Sequence, residues 1–384
     1  MAAEEPLSLE QAISIASSAN RSLAAARLGR EVSQAGVDIA GQRPNPEFTF
    51  ESSLETPHES YAFALPIEIG GKRQRRLDVS RAATGGDEAE ISRLIEETRV
   101  SVRRAYFTLS AAQRRVKEME EVLGLAQRTS DAAGGRFESG AAPRLEVVQA
   151  KMNFEQTNND LGAAQAELTS ARIDLNTLLA RPPDASTTAA EDIDAGEVPD
   201  PARALDLAMT ASAELSVVDR RIDAEQARVG LARAERIPDL VLQGAITRRA
   251  QPEFDTGWRA GFSIELPLLN RHHGEVRLEE GTLAQLQAER EAVVARIRGS
   301  VSAALVVATG LHDQLVRYHD LILPEAAEVQ EMAAESYRSG QTGLVTMLQA
   351  FASVRDVRLK AVQAGLDFQI ALAELELAIG APLP

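Results

Sequence analysis

The sequence predicts an α+β membrane protein. Four short β-strands per chain join a trimeric twelve-stranded β-barrel, continued by a long α-helical coiled-coil tunnel. Three observations carry this prediction. The chain is written twice at an offset of about 200 residues, FESGAAPRLEVVQA at 137–150 and YRSGQTGLVTMLQA at 337–350. Each copy holds helical patterns several times longer than the ~12 residues usual in globular domains. At matching places the hydrophobic period switches from the coiled-coil value to the two-residue alternation of strands.

The first structural repeat spans 1–195. Its opening helix starts in LSLEQAISIAS (7–17) and is expected to continue to about 41. Strands follow at about 47–69. In EFTFESSLET, Phe48, Phe50 and Leu54 share a face; in SYAFALPIEI, Tyr61, Phe63, Leu65, Ile67 and Ile69 do. Thr56-Pro57-His58-Glu59 turns between them. Gly70-Gly71 permits the bend from strand to helix. A long helical hairpin is expected at about 72–180. Its first helix places Ile95, Thr98, Val102, Ala105, Leu109, Ala112, Val116, Met119 and Leu123 in a 3-4 rhythm. Ser139-Gly140 breaks that helix into a tight reversal. The returning helix puts Val147, Phe154, Leu161, Leu168 and Leu175 on one seam, and Ala150, Thr157, Ala164, Ala171 and Leu178 on the other. The Pro- and acid-rich stretch 181–200 reads as a linker or irregular belt.

The second structural repeat, 196–384, has the same order. A helix begins in PARALDLAMTA (201–211) and is expected to run to about 235. Strands at about 239–268 alternate Leu240, Leu242 and Ile246, then Trp258, Ala260, Phe262, Ile264 and Leu266, around a polar loop at 248–256. A second hairpin at about 272–380 reverses at Ser339-Gly340. Its seams are Met347, Val354, Ala361, Phe368 and Leu375 beside Ala350, Val357, Ala364, Ala371 and Ala378. The long first helices, about 65 residues each, would extend roughly 100 Å.

Four strands of this length suit a membrane, but open edges are forbidden in lipid, so the chain must oligomerise to close them. Three copies give twelve strands and a lumen. A duct of this kind needs no catalytic residues, and the scattered carboxylates offer no acid–base pair. A soluble coiled-coil scaffold with small β inserts is the alternative from another class.

Composition narrows the field. Aromatics are 4%, charged residues 26%, and the net charge of −16 argues against nucleic-acid binding. The absence of cysteine excludes disulfides, thiolate chemistry, Cys-ligated zinc and a lipid-bearing N-terminal Cys for the chain as given. Residues 1–8 carry no secretory signal, so the signal peptide is taken as absent from this chain. No unbroken apolar run approaches the length of a spanning helix. His312 and His319 share a helix face about 10 Å apart, too far for one metal. No metal site or cofactor is expected. Lys72, Arg73, Arg75 and Arg76 read either as a contact for anionic headgroups or as a solvated helix start. Tyr61 and Trp258 read either as a membrane-interface belt or as ordinary strand packing.

The double repeat, the strand exits LPIEIGG and ELPLLN, ILPEA at 322–326 and the aromatic-x-x-Gly reversals resemble the TolC-type outer-membrane efflux protein family. The resemblance covers Leu7 to about Gly380. RPNPEFTFES and IEIGGKRQRRL resemble especially its heavy-metal branch, the outer-membrane partners of cation-exporting RND pumps. It implies a homotrimer in outer-membrane lipid with a periplasmic tunnel, a periplasmic adaptor and an inner-membrane RND pump as partners, and divalent metal cations or other small molecules as cargo. It also places the tunnel entrance and adaptor-docking tips at Phe137, Ser139, Gly140, Arg144 and Glu146, and at Tyr337, Ser339, Gly340, Thr346 and Gln349. The family's acidic gate pair matches Thr346 and Gln349, both neutral here. Glu146 is the acid left nearby, with Arg144 close enough in sequence to pair with it.

Overall fold

The computed structural model describes residues 6–194 and 196–383. They form two compact units. One comprises the described parts of 1–24, 94–212 and 296–384; the other comprises 25–93 and 213–295. Each unit draws on both halves of the chain, so compactness divides the molecule differently from sequence repetition.

The second unit carries the sheet. Strands β1 (Glu47–Ser52), β2 (Glu59–Ile67), β3 (Leu240–Ala250) and β4 (Phe254–Ile264) are antiparallel in the order β1-β2-β3-β4. β1 and β4 are its edges. One register row runs Phe50, Tyr61, Ile246, Trp258; another runs Leu65, Leu242, Phe262. Because side chains alternate, these rows put the large apolar residues on one face. The other face carries Thr49, Ala62, Ala64, Gln243, Ala245, Arg259 and Ser263, mostly small or polar, with Pro66 and Val241 as exceptions.

The strands depart from expectation at their ends. β3 and β4 pair out to Ala250 and Phe254, which shortens the polar loop expected at 248–256 to a turn. β4 ends at Ile264, leaving Leu266-Pro267 outside the ladder, since proline cannot donate to it. The basic stretch after β2 is engaged within the protein. Lys72 pairs with Asp239 at 2.9 Å, Arg73 Nε donates to the Gly41 carbonyl at 2.6 Å, and Arg76 pairs with Glu68. These side chains tie the strand exit to its neighbours in the same unit.

Each expected opening helix is broken once. α1 (Leu9–Ala19) and α2 (Arg21–Ala40) part at Asn20, whose side-chain oxygen accepts from the Ser22 and Leu23 N–H groups. An asparagine caps a helix better than it continues one. In the second half α5 (Pro201–Ala211) and α6 (Ala213–Glu235) part at Ser212 in the same extended conformation.

The returning helices of the two hairpins lie in the first unit, and their long first helices run through both units. α3 (Lys72–Glu138) returns as α4 (Arg144–Leu178); α7 (His273–Arg317) and α8 (Leu323–Arg338) return as α9 (Leu344–Ile379). Every seam residue expected from the heptads is buried or half-buried. The second long helix is not continuous. One π-helical turn, Tyr318–Ile322, separates α7 from α8. Pro324 has no N–H to give to Asp320, and the Leu323 N–H reaches five residues back to Tyr318. The run His273–Arg338 also contains an 18-residue window with mean hydropathy 1.5, long and apolar enough by composition to cross a membrane. Counting unbroken apolar runs overlooked it because charges punctuate the stretch. Its Ala308 and Leu315 pack on Phe368, Ala371 and Leu372 of α9.

Residues 181–194 and 196–200 form the belt. The Tyr106 hydroxyl, fully buried, accepts from the Ala190 and Glu191 N–H groups and donates to the Leu7 carbonyl at 2.9 Å. Gln369 on α9 donates to the Ile193 carbonyl at 3.0 Å. This covering explains why α9 is buried beyond its seam from Ala361 onward.

Candidate functional site

The two reversals are built alike. Gly140 has φ 75° and Gly340 φ 76°, left-handed conformations that glycine adopts without strain. The Ala141 N–H reaches the Arg136 carbonyl and the Gly140 N–H the Phe137 carbonyl; Gln341 and Gly340 repeat this onto Ser336 and Tyr337. These are Schellman closures, which satisfy carbonyls that a helix end leaves orphaned. Ser139 and Ser339 add hydroxyl bonds back to Arg136 and Glu335. No neighbour lies within 4 Å of a Cβ built on either glycine, so the cost of a side chain there is conformational, not steric. Gly340→Ala should therefore lower stability by about 1 kcal/mol, read as a small drop in Tm.

The tips meet in one apolar cluster of Ala133, Ala150, Tyr337, Leu344 and Met347. Tyr337 is its centre, only 3% exposed. Its hydroxyl donates to Glu146 Oε2 at 3.3 Å. The Arg136 guanidinium lies 4.6 Å over its ring and donates to its carbonyl at 3.4 Å. Burial pushes the phenol's pKa up, and the Glu146 charge adds to that; Arg136 opposes both. The phenol thus stays a donor, and α4 and α8 are joined by a charge-assisted hydrogen bond.

Glu146 and Tyr337 are brought together; the remaining predicted tip residues are not. Glu146 takes Tyr337 as its partner rather than Arg144, which is exposed and makes no ion pair among the described residues. Thr346 and Gln349 are also exposed. Phe137, the counterpart of Tyr337, is 45% exposed instead of buried. Arg136 was not among the predicted residues. Its sequence signal was weak, because the ring it covers is 201 residues away.

The sheet supplies the second constellation. Tyr61 and Trp258 lie on one register row with Phe50 and Ile246 between and beside them. Phe50 and Tyr61 stack with ring centroids 5.0 Å apart, and Trp258 is 82% exposed. The opposite face forms a groove of about 330 Å³ lined by Thr49, Ala62, Gln243 and Arg259 among others. Among the described residues no group of three or more His, Asp or Glu is placed to hold a metal. His319 instead faces Asp194 at 3.2 Å.

The sheet has one apolar face and one that is mostly small or polar, the chain also forms two long helical hairpins, and comparison decides the family. The family model for outer membrane efflux proteins matches residues 12–181 and 204–381. The chain belongs to the outer membrane efflux protein family. It is therefore a channel component of efflux and not an enzyme. It is 25% identical over 367 residues to the cobalt-zinc-cadmium resistance protein CzcC of Cupriavidus metallidurans, covering 92% of this chain and 85% of that one. It is also 25% identical over 280 residues to the nickel-cobalt-cadmium resistance protein NccC of Alcaligenes xylosoxydans, covering 68% and 62%. Among solved structures the chain superposes on CusC with a TM-score of 0.81 at 19% identity, covering 97% of this chain and 92% of that one. The outer-membrane channel OprN gives 0.79 at 20%, covering 97% and 90%. These structural likenesses carry the fold.

Proposed function

We propose that this efflux channel works as a homotrimer, a passive exit duct from periplasm to exterior that docks a periplasmic adaptor and an inner-membrane RND pump. The observation that carries the trimer is the sheet: two free edges and an apolar face that lipid would cover. Three such sheets close into twelve strands, with Gln243, Arg259 and Thr49 lining the lumen. Each half of the chain, 1–195 and 196–384, supplies one strand pair and one helical hairpin. Tyr61 and Trp258 sit at the membrane interface. The pump supplies the energy.

The hairpin tips form the periplasmic entrance and the adaptor's docking site. Buried Tyr337, held by Glu146 and Arg136, keeps the two tips of one chain together in the resting state. Exposed Phe137, Arg144, Thr346 and Gln349 are free to meet a partner. Gly340→Pro tests this. It removes the Gly340 N–H and forbids the positive φ. Export should fail while cross-linked trimers persist; loss of the trimers would make the turn structural and not part of a gate.

The cargo we propose is divalent heavy-metal cations, supported by the names of the two metal-resistance relatives. A 25% identity over 255 residues to the pyoverdine export outer membrane protein OpmQ of Pseudomonas aeruginosa supports other small molecules as the second reading. A deletion strain separates them: equal resistance to cobalt, zinc, cadmium and nickel with and without the channel rejects the metal cargo.

The lipid face makes its own prediction. Phe262→Arg should destabilise the barrel by about 2–4 kcal/mol if the residue lies near mid-membrane, whereas Gln243→Arg on the opposite face should be tolerated. Heat resistance of trimers on gels reads the difference, and equal effects would remove the assignment of faces.

A further inference from the structure

The two free edges of the sheet differ in charge. β1 carries Glu47 and Glu51, and β4 carries Arg259. All three side chains are exposed, and none makes an ion pair or side-chain hydrogen bond among the described residues. On the inner strands, by contrast, Glu59 of β2 finds Arg249 of β3 within the chain at 2.9 Å. The register puts the three edge charges on one face. Glu47 lies on the row Ala64, Gln243, Gly261; Glu51 on the row Ser60, Thr247, Gly257; Arg259 on the row Thr49, Ala62, Ala245. Three strand spacings, about 14 Å, separate β1 from β4, so these charges cannot meet inside one chain. They can meet only across an edge.

The direction of the strands permits that meeting. In a four-stranded antiparallel sheet β1 and β4 run oppositely, so β4 of one copy can pair antiparallel with β1 of the next. Two constraints set the register. Opposed residues in a ladder share a face, so Arg259 must stand across from an odd-numbered residue of β1. The start of β1 at Glu47 and the end of β4 at Ile264 also lie at the same end of the sheet, where the chain passes to and from helices. Setting those ends nearly level puts Glu47 opposite Ser263 and Glu51 opposite Arg259. Sliding the strands until Glu47 met Arg259 would set Glu51 against Asp255, a like charge. Directly opposed side chains start from Cβ atoms about 5 Å apart, close enough for an ion pair.

On the trimeric reading given above, we propose that Arg259 of each copy pairs with Glu51 of the next across this seam, on the lumen face, and that the three pairs fix the register in which the barrel closes. The pairing also bears on the cargo. Three unpaired guanidinium groups would ring the lumen with positive charge and repel cations; a carboxylate beside each one cancels that field.

The chain has no cysteine, which leaves a clean background for cross-linking. Glu51→Cys with Arg259→Cys, purified as the full chain in detergent and treated with a thiol cross-linker about 5 Å long, should give covalent dimers and trimers. Glu51→Cys with Ser263→Cys, or with Asp255→Cys, is displaced by about 13 Å along the seam and should give about tenfold less. Cross-linking that favours a displaced pair overturns the proposal. So does a trimer, sized by native mass spectrometry, that none of the pairs cross-links. A monomer in the same measurement overturns the trimeric reading as well. Exchange of the charges gives a second readout. Arg259→Glu and Glu51→Arg should each lower the temperature at which trimers dissociate by about 5 °C or more, and the two together should restore most of the loss. A double variant no better than the singles overturns the ion pair. Should the cysteine variants fail to assemble, this exchange decides alone.

Discussion

If the tips gate the duct as proposed, Tyr337→Ala should make the resting channel leak. Purified trimers in a planar bilayer are expected to show a resting conductance tens of times that of wild type, with the trimer intact on a native gel. Tyr337 is the one large side chain at the centre of the tip cluster, and it is almost fully buried. Truncating a buried aromatic costs about 3–5 kcal/mol. If half of that, about 2 kcal/mol, is specific to the resting arrangement, the open fraction rises roughly thirtyfold, because each 1.4 kcal/mol is a factor of about ten. Two milder variants divide the effect. Tyr337→Phe keeps the ring under Arg136 but loses the bond to Glu146, about 1 kcal/mol and a roughly fivefold rise. Glu146→Gln keeps a neutral acceptor and should do less still. A Tyr337→Ala channel as silent as wild type would mean that the tips are held shut by contacts between chains and not by this one.

The tip also shows what a sequence can and cannot disclose. The reversals were readable because Gly140 and Gly340 are local signals for a left-handed cap. The seams of α4 and α9 were readable because a heptad is a pattern within one helix. Phe137 and Tyr337 look equivalent in the repeat, yet one is exposed and the other buried, because burial depends on which helix lies opposite. The bond from Tyr337 to Glu146 spans 191 residues and leaves no periodic trace. The same contrast holds in the sheet. Alternation gave the two faces, and the register rows then aligned Tyr61 with Trp258 across strands from different halves. The ends of β3 and β4 were misjudged because pairing, not polarity, decided them. The π-helical turn was hidden for another reason. Pro324 is visible, but a proline in a helical pattern announces only a fault, and the structure resolves it by shifting one hydrogen-bond register instead of ending the helix.

Glu376 is where the sequence was most misleading and where the second large effect is expected. It adjoins the seam residue Leu375, and a charged residue beside a seam ordinarily faces water. Here its side chain is 4% exposed, pairs with Arg103 at 2.5 Å and accepts from the Leu383 N–H at 2.9 Å. Arg103 also reaches Gln369 and lies 5.6 Å over the ring of Phe107. Glu376→Ala should destabilise the chain by about 3–5 kcal/mol, since it strands a buried guanidinium. Replacing both partners, Glu376→Leu with Arg103→Met, should recover most of the loss, because the desolvation of two charges then disappears along with their attraction. Chemical-denaturation midpoints of the two singles and the double give the coupling directly. A further consequence separates this account from simple loss of packing. Glu96 is raised above the usual carboxyl range, first by burial and then by the charge of Glu376, with Arg99 opposing. Without Glu376 that rise should shrink, so the stability that Glu96 loses as pH climbs through its folded value should be lost over a narrower, more acidic range. A double variant as unstable as Glu376→Ala, or an unchanged pH profile, would mean that the pair is held by its packing and that its charges are incidental.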